Sequence, residues 1–210
     1  MPRVTALRIE GSKRRFNVFV DGSFSFTVDK DVAMQFGLQV GQHLSEDQIE
    51  NLEKASLLRG CFDAALRYLS HRPRSEAEVR WRLFRHGFGN NVVNRTISKL
   101  KEQELIDDLA FAQFWKDNRM LFSPRSRQLI KLELKQKGIA AEMANEMTKD
   151  LDDEASAYKS GLKKARLLTP SDYNEFRRYL SGYLRRRGFG YEVIRSVIVR
   201  LWQEQQAATS

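Results

Sequence analysis

Residues 82–100 read RLFRHGFGNNVVNRTISKL, and the pattern returns twice, as ELKQKGIAAEMANEMTKDL over residues 133–151 and YLRRRGFGYEVIRSVIVRL over residues 183–201. In each, a leucine stands four residues before a glycine (Leu83/Gly87, Leu134/Gly138, Leu184/Gly188) and an apolar residue follows it (Phe88, Ile139, Phe189). A second leucine comes thirteen residues after the glycine, at Leu100, Leu151 and Leu201, and the glycines lie 51 and 50 residues apart. Between glycine and leucine, apolar residues recur at helical spacing: Val93/Ile97/Leu100, Met143/Met147/Leu151 and Ile194/Ile198/Leu201. The glycine suits the position just past a helix, where positive φ is needed.

Upstream stand Pro73-Arg74-Ser75, Pro124-Arg125-Ser126 and Pro170-Ser171, the first two prolines 14 residues before their glycine and the third 18. Proline stops one helix and serine caps the next. Each repeat therefore reads as three helices, with a longer middle helix or an insertion in the third. Asp107-Asp108 and Asp152-Asp153 open the later repeats, where aspartate caps a helix and suits its dipole. A tandem array follows, each unit expected to bury its open face on its neighbour. The N-terminal stretches VTALRIE, RFNVFV and SFSFTV read as short strands, the last two joined by an Asp21-Gly22 hairpin turn. Helical signals begin near Asp29, and Ser45-x-x-Gln48 is a capping box that starts a helix burying Ile49 and Leu52. The expected fold is mainly α: three three-helix repeats over 59–106, 107–151 and 152–205, preceded by a small β-hairpin and helix region over 1–58.

Charge is the first functional clue. Thirty-six Lys and Arg oppose 27 Asp and Glu, a net charge of +9. Residues 1–60 hold eight of each sign, whereas residues 154–210 hold eleven basic and five acidic side chains. A positive field concentrated at one end points to a polyanionic partner. The single cysteine, Cys61, cannot form an internal disulfide, and with three scattered histidines (His43, His71, His86) it builds no metal site. No apolar run reaches the roughly 20 residues of a membrane span. The opening MPRVTALRIEGSKRR lacks the apolar stretch of a secretory signal, so a cytoplasmic protein is expected.

With these residues laid out, the sequence resembles the RecX family, regulators of the RecA recombinase. The resemblance rests on YLSHRPRSEAEVRWRLFRHGF, on LIDDLAFAQFWKDNR and on LELKQKGI, and extends over about residues 60–205 through the triple repeat. The N-terminal region with GLQVGQHLSEDQIENL is similar to an extension found on some members. The third repeat departs from the pattern, with Ser156-Ala157-Tyr158 roughly where Phe111-Ala112 stands in the second. The resemblance implies a cytoplasmic bacterial protein; a monomer without a cofactor is expected. It also implies binding to RecA filaments on single-stranded DNA, restraining their ATPase, strand-exchange and co-protease activities in DNA repair and the SOS response.

Contact candidates come mainly from the last repeat: Lys163, Lys164, Arg166, Arg177, Arg178, Arg185, Arg186, Arg187, Arg195 and Arg200. They read as a patch for DNA phosphate or acidic RecA surface, or as cations favourable at helix C-termini. Arg185, Arg186 and Arg187 point about 100° apart on a helix, so they cannot all face one ligand. Arg74 and Arg125, at matching positions, read either as periodic filament contacts or as solvated first-turn residues. Trp81, between Arg80 and Arg82 and off the Val79/Leu83 stripe, reads as a stacking platform for a DNA base or as a tryptophan partly buried against a neighbouring unit. Trp115 with Phe111 reads as core, and Trp202 as a cap on the last apolar face.

Catalytic readings have little support. Neighbouring aspartates diverge on a helix, and no third carboxylate or lysine repeats beside them. The Gly-Phe-Gly triplets lack the context of a phosphate loop. No histidine recurs near Cys61 to activate a thiol. The function expected is a non-catalytic regulator of the RecA filament. The alternative is a helix-turn-helix-like, sequence-specific duplex DNA-binding protein.

Overall fold

A computed structural model describes residues 1–11, 15–168 and 172–207. Three strands form an antiparallel sheet in sequential order: β1 (Val4–Glu10), β2 (Arg15–Val20) and β3 (Ser23–Asp29). Leu7 pairs with Val18, and Val18 with Phe26. Asp21 and Gly22 both have positive φ, at 48° and 83°, the conformation the Asp-Gly pair was chosen to supply. One face of the sheet buries Val4, Val18, Phe26 and Val28 together with Val32, Ala33, Leu38, Leu44 and Leu52. The short α1 (Lys30–Gln35) is capped by Asp29, whose carboxylate accepts from the N–H of Asp31.

Nine further helices follow among the described residues: α2 (Glu46–Leu69), α3 (Glu76–Arg85), α4 (Asn90–Glu102), α5 (Asp108–Phe122), α6 (Arg127–Gln136), α7 (Ala141–Thr148), α8 (Asp153–Ala165), α9 (Tyr173–Arg185) and α10 (Tyr191–Ala207). They make three triads: α2–α4, α5–α7 and α8–α10. The Ser45/Gln48 capping box at the head of α2 is present in full. The helix then runs unbroken through residue 58. Its first half buries Leu52 beneath the sheet, and its second half carries Cys61 and Ala65 into the core of the first triad. Gly60 sits inside the helix without breaking it, at the roughly 1 kcal/mol that glycine costs in a helix interior.

All three glycine signatures close in the same way. Gly87, Gly138 and Gly188 have φ of 84°, 83° and 84°. The N–H of each following apolar residue returns to the leucine carbonyl: Phe88 to Leu83 at 3.3 Å, Ile139 to Leu134 at 3.0 Å and Phe189 to Leu184 at 3.4 Å. These are Schellman turns, which account for the leucine, the glycine and the apolar residue at once. The middle helix of the third triad has 13 residues against 10 in each of the others. Pro170 and Ser171 lie outside the described residues, and the cap of α9 is Asp172, whose carboxylate accepts from Glu175 N–H.

Each triad buries its own apolar cluster: around Cys61, Leu83 and Ile97; around Phe111, Ile130 and Leu134; and around Phe176, Leu184 and Ile198. Three helices with an apolar face each suffice to close a core. The chain divides into two compact units, one of Met1–Arg72 with Val79–Ile106, the other of Pro73–Glu78 with Asp107–Ser210.

Within the second unit, turns are joined by polar caps and close backbone approach. Ser75 caps α3 through Glu78 N–H and also donates to the Lys137 carbonyl at 2.6 Å; Ser126 caps α6 through Leu129 N–H, while its own N–H donates to the Arg187 carbonyl. Asp107 and Asp152 cap their own helices, as their position predicts. Asp108 and Asp153 do not: they accept from Glu76 N–H at 2.8 Å and Arg127 N–H at 2.6 Å. Each aspartate pair thus caps two different helices.

Candidate polyanion-binding interface

α9 buries Phe176, Leu180 and Leu184. This leaves Tyr173, Arg177, Ser181 and Arg185 in a row at four-residue spacing, because residues i and i+4 share a face. The Gly188 turn brings α10 beside it, where burial of Ile194, Val197, Ile198 and Leu201 sets Tyr191, Arg195 and Val199 in a second row. The two rows line one groove of about 590 Å³ with Phe189, Ile194 and Ile198. The ring of Tyr173 stands 5.7 Å from that of Trp202, edge to face, which fixes one wall. Tyr191 is 67% exposed, an aromatic face open to a ligand.

The groove sorts the candidate cations. Among the described residues, Arg177, Arg185 and Arg195 have no ion-pair partner. Three exposed, uncompensated guanidiniums beside an apolar floor make a locally positive site. Arg187 lies elsewhere: its Nη1 donates to Ser123 Oγ at 2.8 Å and to the Pro124 carbonyl at 3.1 Å, and its guanidinium sits 4.5 Å over the Tyr183 ring. The divergence expected of three successive arginines is thereby realised. Arg178 is exposed beside Tyr179 and is 3.8 Å from Glu175. Arg200 pairs with Glu204 at 2.9 Å and covers the Tyr158 ring at 4.1 Å. Hydrogen bonds from Arg200 and the Tyr158 hydroxyl hold the Glu204 carboxyl below its ordinary pKa, and the bond to Glu204 raises that of Tyr158. Lys163, Arg166 and Arg186 are exposed and Lys164 is half-buried, none of them lining the groove.

The remaining candidates are dispersed. Arg74 is half-buried in its turn. Arg125 is not a solvated first-turn residue: it pairs with Glu133, which is 8% exposed and also accepts from Arg119 Nε at 2.7 Å and the Trp115 indole at 2.8 Å. A buried carboxylate needs such donors, and the Pro-Arg-Ser turn supplies one. Trp115 is half-buried beside the buried Phe111, and Trp202 covers Phe176 at 5.2 Å. Trp81, in the first unit, is 58% exposed with the Arg85 guanidinium 4.7 Å over its ring, so packing does not account for it. Cys61 is buried and free, its thiol pKa raised by burial. Sequence reasoning missed Tyr173, Ser181 and Tyr191. The signal was there, since Tyr173–Arg177 and Tyr191–Arg195 are both i, i+4 pairs.

Four family models describe parts of this architecture: the RecX N-terminal domain over residues 5–45, and the first, second and third RecX three-helix domains over 61–100, 107–147 and 152–198. The chain belongs to the RecX family. Regulatory protein RecX of Listeria welshimeri is 26% identical over 210 residues, covering 98% of this chain and 78% of that protein. Regulatory protein RecX of Listeria monocytogenes serotype 4a is 29% identical over 154 residues, covering 73% of this chain and 57% of its own length. A crystal structure of regulatory protein RecX superposes with a TM-score of 0.65 at 25% identity, over 94% of this chain and 98% of its own. RecX from Lactobacillus salivarius gives 0.57 at 27% identity, over 70% and 97%. No helix among the described residues is long and apolar enough to cross a membrane.

Proposed function

We propose that this RecX-family chain binds the RecA filament on single-stranded DNA and restrains its ATPase, strand-exchange and co-protease activities, acting in the cytoplasm as a monomer without catalysis. The observation that carries this reading is the α9–α10 groove, where three unpaired arginines and two tyrosines face one space. A single strand offers both things such a groove recognises, phosphates for the guanidiniums and unpaired base faces for the rings. The groove is the DNA contact, and Trp81 with Arg85 offers a further basic and aromatic surface on the first unit. Binding that favours one arrangement of RecA protomers shifts the filament toward it, which is how a small ligand slows turnover.

The test is single-stranded-DNA-dependent ATP hydrolysis by RecA at saturating DNA, with the chain titrated from far below to equal stoichiometry. Inhibition well below one copy per RecA is expected, and it should weaken in an R177E/R185E/R195E variant that keeps its helical circular dichroism. No effect of the folded wild type at any ratio overturns the reading. A preference for one duplex sequence by roughly 10³-fold or more would instead make the chain a sequence-specific duplex reader.

A further inference from the structure

The Schellman glycines give a common register for the three triads, and counting back from them exposes a second basic row. Arg177, Ser181 and Arg185 stand 11, 7 and 3 residues before Gly188; Arg127, Lys131 and Lys135 stand at the same distances before Gly138. The burial pattern is the same in both: exposed, half-buried, exposed. Position for position, the α6 face matches the α9 wall of the groove, extending about 12 Å along the helix. In the first triad these positions are Glu76, Arg80 and Phe84, with Arg80 committed to Asn94 Oδ1 at 2.6 Å. The three-helix module therefore does not need cations there in order to fold.

Local structure explains Lys135, a cation in the last turn of α6 that suits the helix dipole, but not the other two. Arg127 occupies the first turn of α6, where a cation opposes the helix dipole. Its Nη1 makes one long bond, 3.4 Å to the Lys149 carbonyl, leaving most of the guanidinium's donors open. Among the described residues, Lys131 and Lys135 have no ion-pair partner, whereas nearby Lys149 is taken by Glu146 at 2.5 Å. The aromatic members of the groove are missing from this triad: Ser123 and Ala141 stand where Tyr173 and Tyr191 do, and Asn145 replaces Arg195.

We propose that Arg127, Lys131 and Lys135 form a second phosphate-binding row, so that the second unit holds an extended single strand on two triads, by phosphates alone on α6 and by phosphates and bases in the α9–α10 groove. The inference rests on the nucleic-acid reading of that groove, and its test separates the two. Anisotropy of labelled oligothymidylates of about 6 and about 16 nucleotides, lengths that span a single-strand binding site, is followed against salt. For the wild type, the longer strand binds more tightly and its salt slope is steeper by about 2, since each phosphate contact on a single strand contributes about 0.7. An R127Q/K131Q/K135Q variant loses the extra slope and keeps its affinity for the short strand, while R177Q/R185Q/R195Q loses the short strand.

Equal slopes for both lengths, with the short strand bound, overturn the α6 row and leave the groove standing. An α6 variant with the wild-type slope also overturns it. If that variant stops inhibiting RecA while its slope is unchanged, the row faces an acidic protein surface instead. Binding of neither length overturns the row and the groove together. The wild-type length comparison needs no variant to fold.

Discussion

The carboxylate of Asp153 accepts the backbone N–H of Arg127 at 2.6 Å, so a residue that opens α8 caps the start of α6. Asp108 does the same for Glu76 at 2.8 Å. Their neighbours Asp152 and Asp107 cap α8 and α5 in the usual manner. Asp152→Ala and Asp153→Ala should therefore each cost about 1 kcal/mol, the usual loss of an N-cap, but at different helices. Hydrogen exchange separates them: the Arg127 amide should lose protection in Asp153→Ala and keep it in Asp152→Ala. Unchanged protection at Arg127 in both variants would show that the cross-helix cap is not formed.

The three turn glycines share one conformation and differ in their surroundings. A Cβ on Gly87 meets nothing, so Gly87→Ala should cost only the left-handed strain, roughly 1–2 kcal/mol. At Gly138 the new atom would collide with the Ala77 Cβ, and at Gly188 it would sit 2.6 Å from Ser126 Oγ and 2.8 Å from the Leu129 Cβ. Overpacking adds roughly 1–3 kcal/mol, so both should be clearly worse than Gly87→Ala in urea unfolding. Equal losses at all three positions would argue against this close packing.

These contrasts show why some features were legible in the sequence and others were not. The Leu-Gly-apolar signature is local: its hydrogen bonds close within six residues, and the residue types it demands repeat about every 50 positions. The Asp21-Gly22 turn and the Ser45 capping box are local in the same sense. Asp108 and Asp153 carry the residue type of a local cap, but their acceptor oxygens are used 32 and 26 residues away. Arg125 escapes a sequence reading because its partner, Glu133, is buried by tertiary packing. Charge alone marks Arg177, Arg185 and Arg187 equally; the first two share a face of α9, whereas the third lies in the turn beyond its end and reaches Ser123 and Pro124.

Glu133 gathers Trp115, Arg119 and Arg125 around one nearly buried carboxylate. Glu133→Ala leaves two guanidiniums and an indole N–H without their acceptor. The loss should be about 3 kcal/mol, at the low end for a broken buried pair because both arginines keep some contact with water. Trp115 emission should shift in the folded variant, reporting the change where it occurs. A variant as stable as wild type would mean that the carboxylate's own desolvation cost offsets all three contacts.

Cys61 lies in the core of the first triad, and burial raises its thiol pKa. Because the folded value lies above the unfolded one, the neutral thiol's contribution is complete below the unfolded pKa of about 8.5 and is lost as pH rises through the folded value. As pH rises above about 8.5, wild-type stability should therefore fall more steeply than that of Cys61→Ala, which has nothing to ionise at this position. Alkylation by iodoacetamide should be slow in the native protein and should accelerate with urea as the triad opens, since the thiolate is the reactive form and burial opposes it. Rapid native-state alkylation, or identical pH slopes for the two proteins, would show that the second half of α2 does not hold Cys61 away from water.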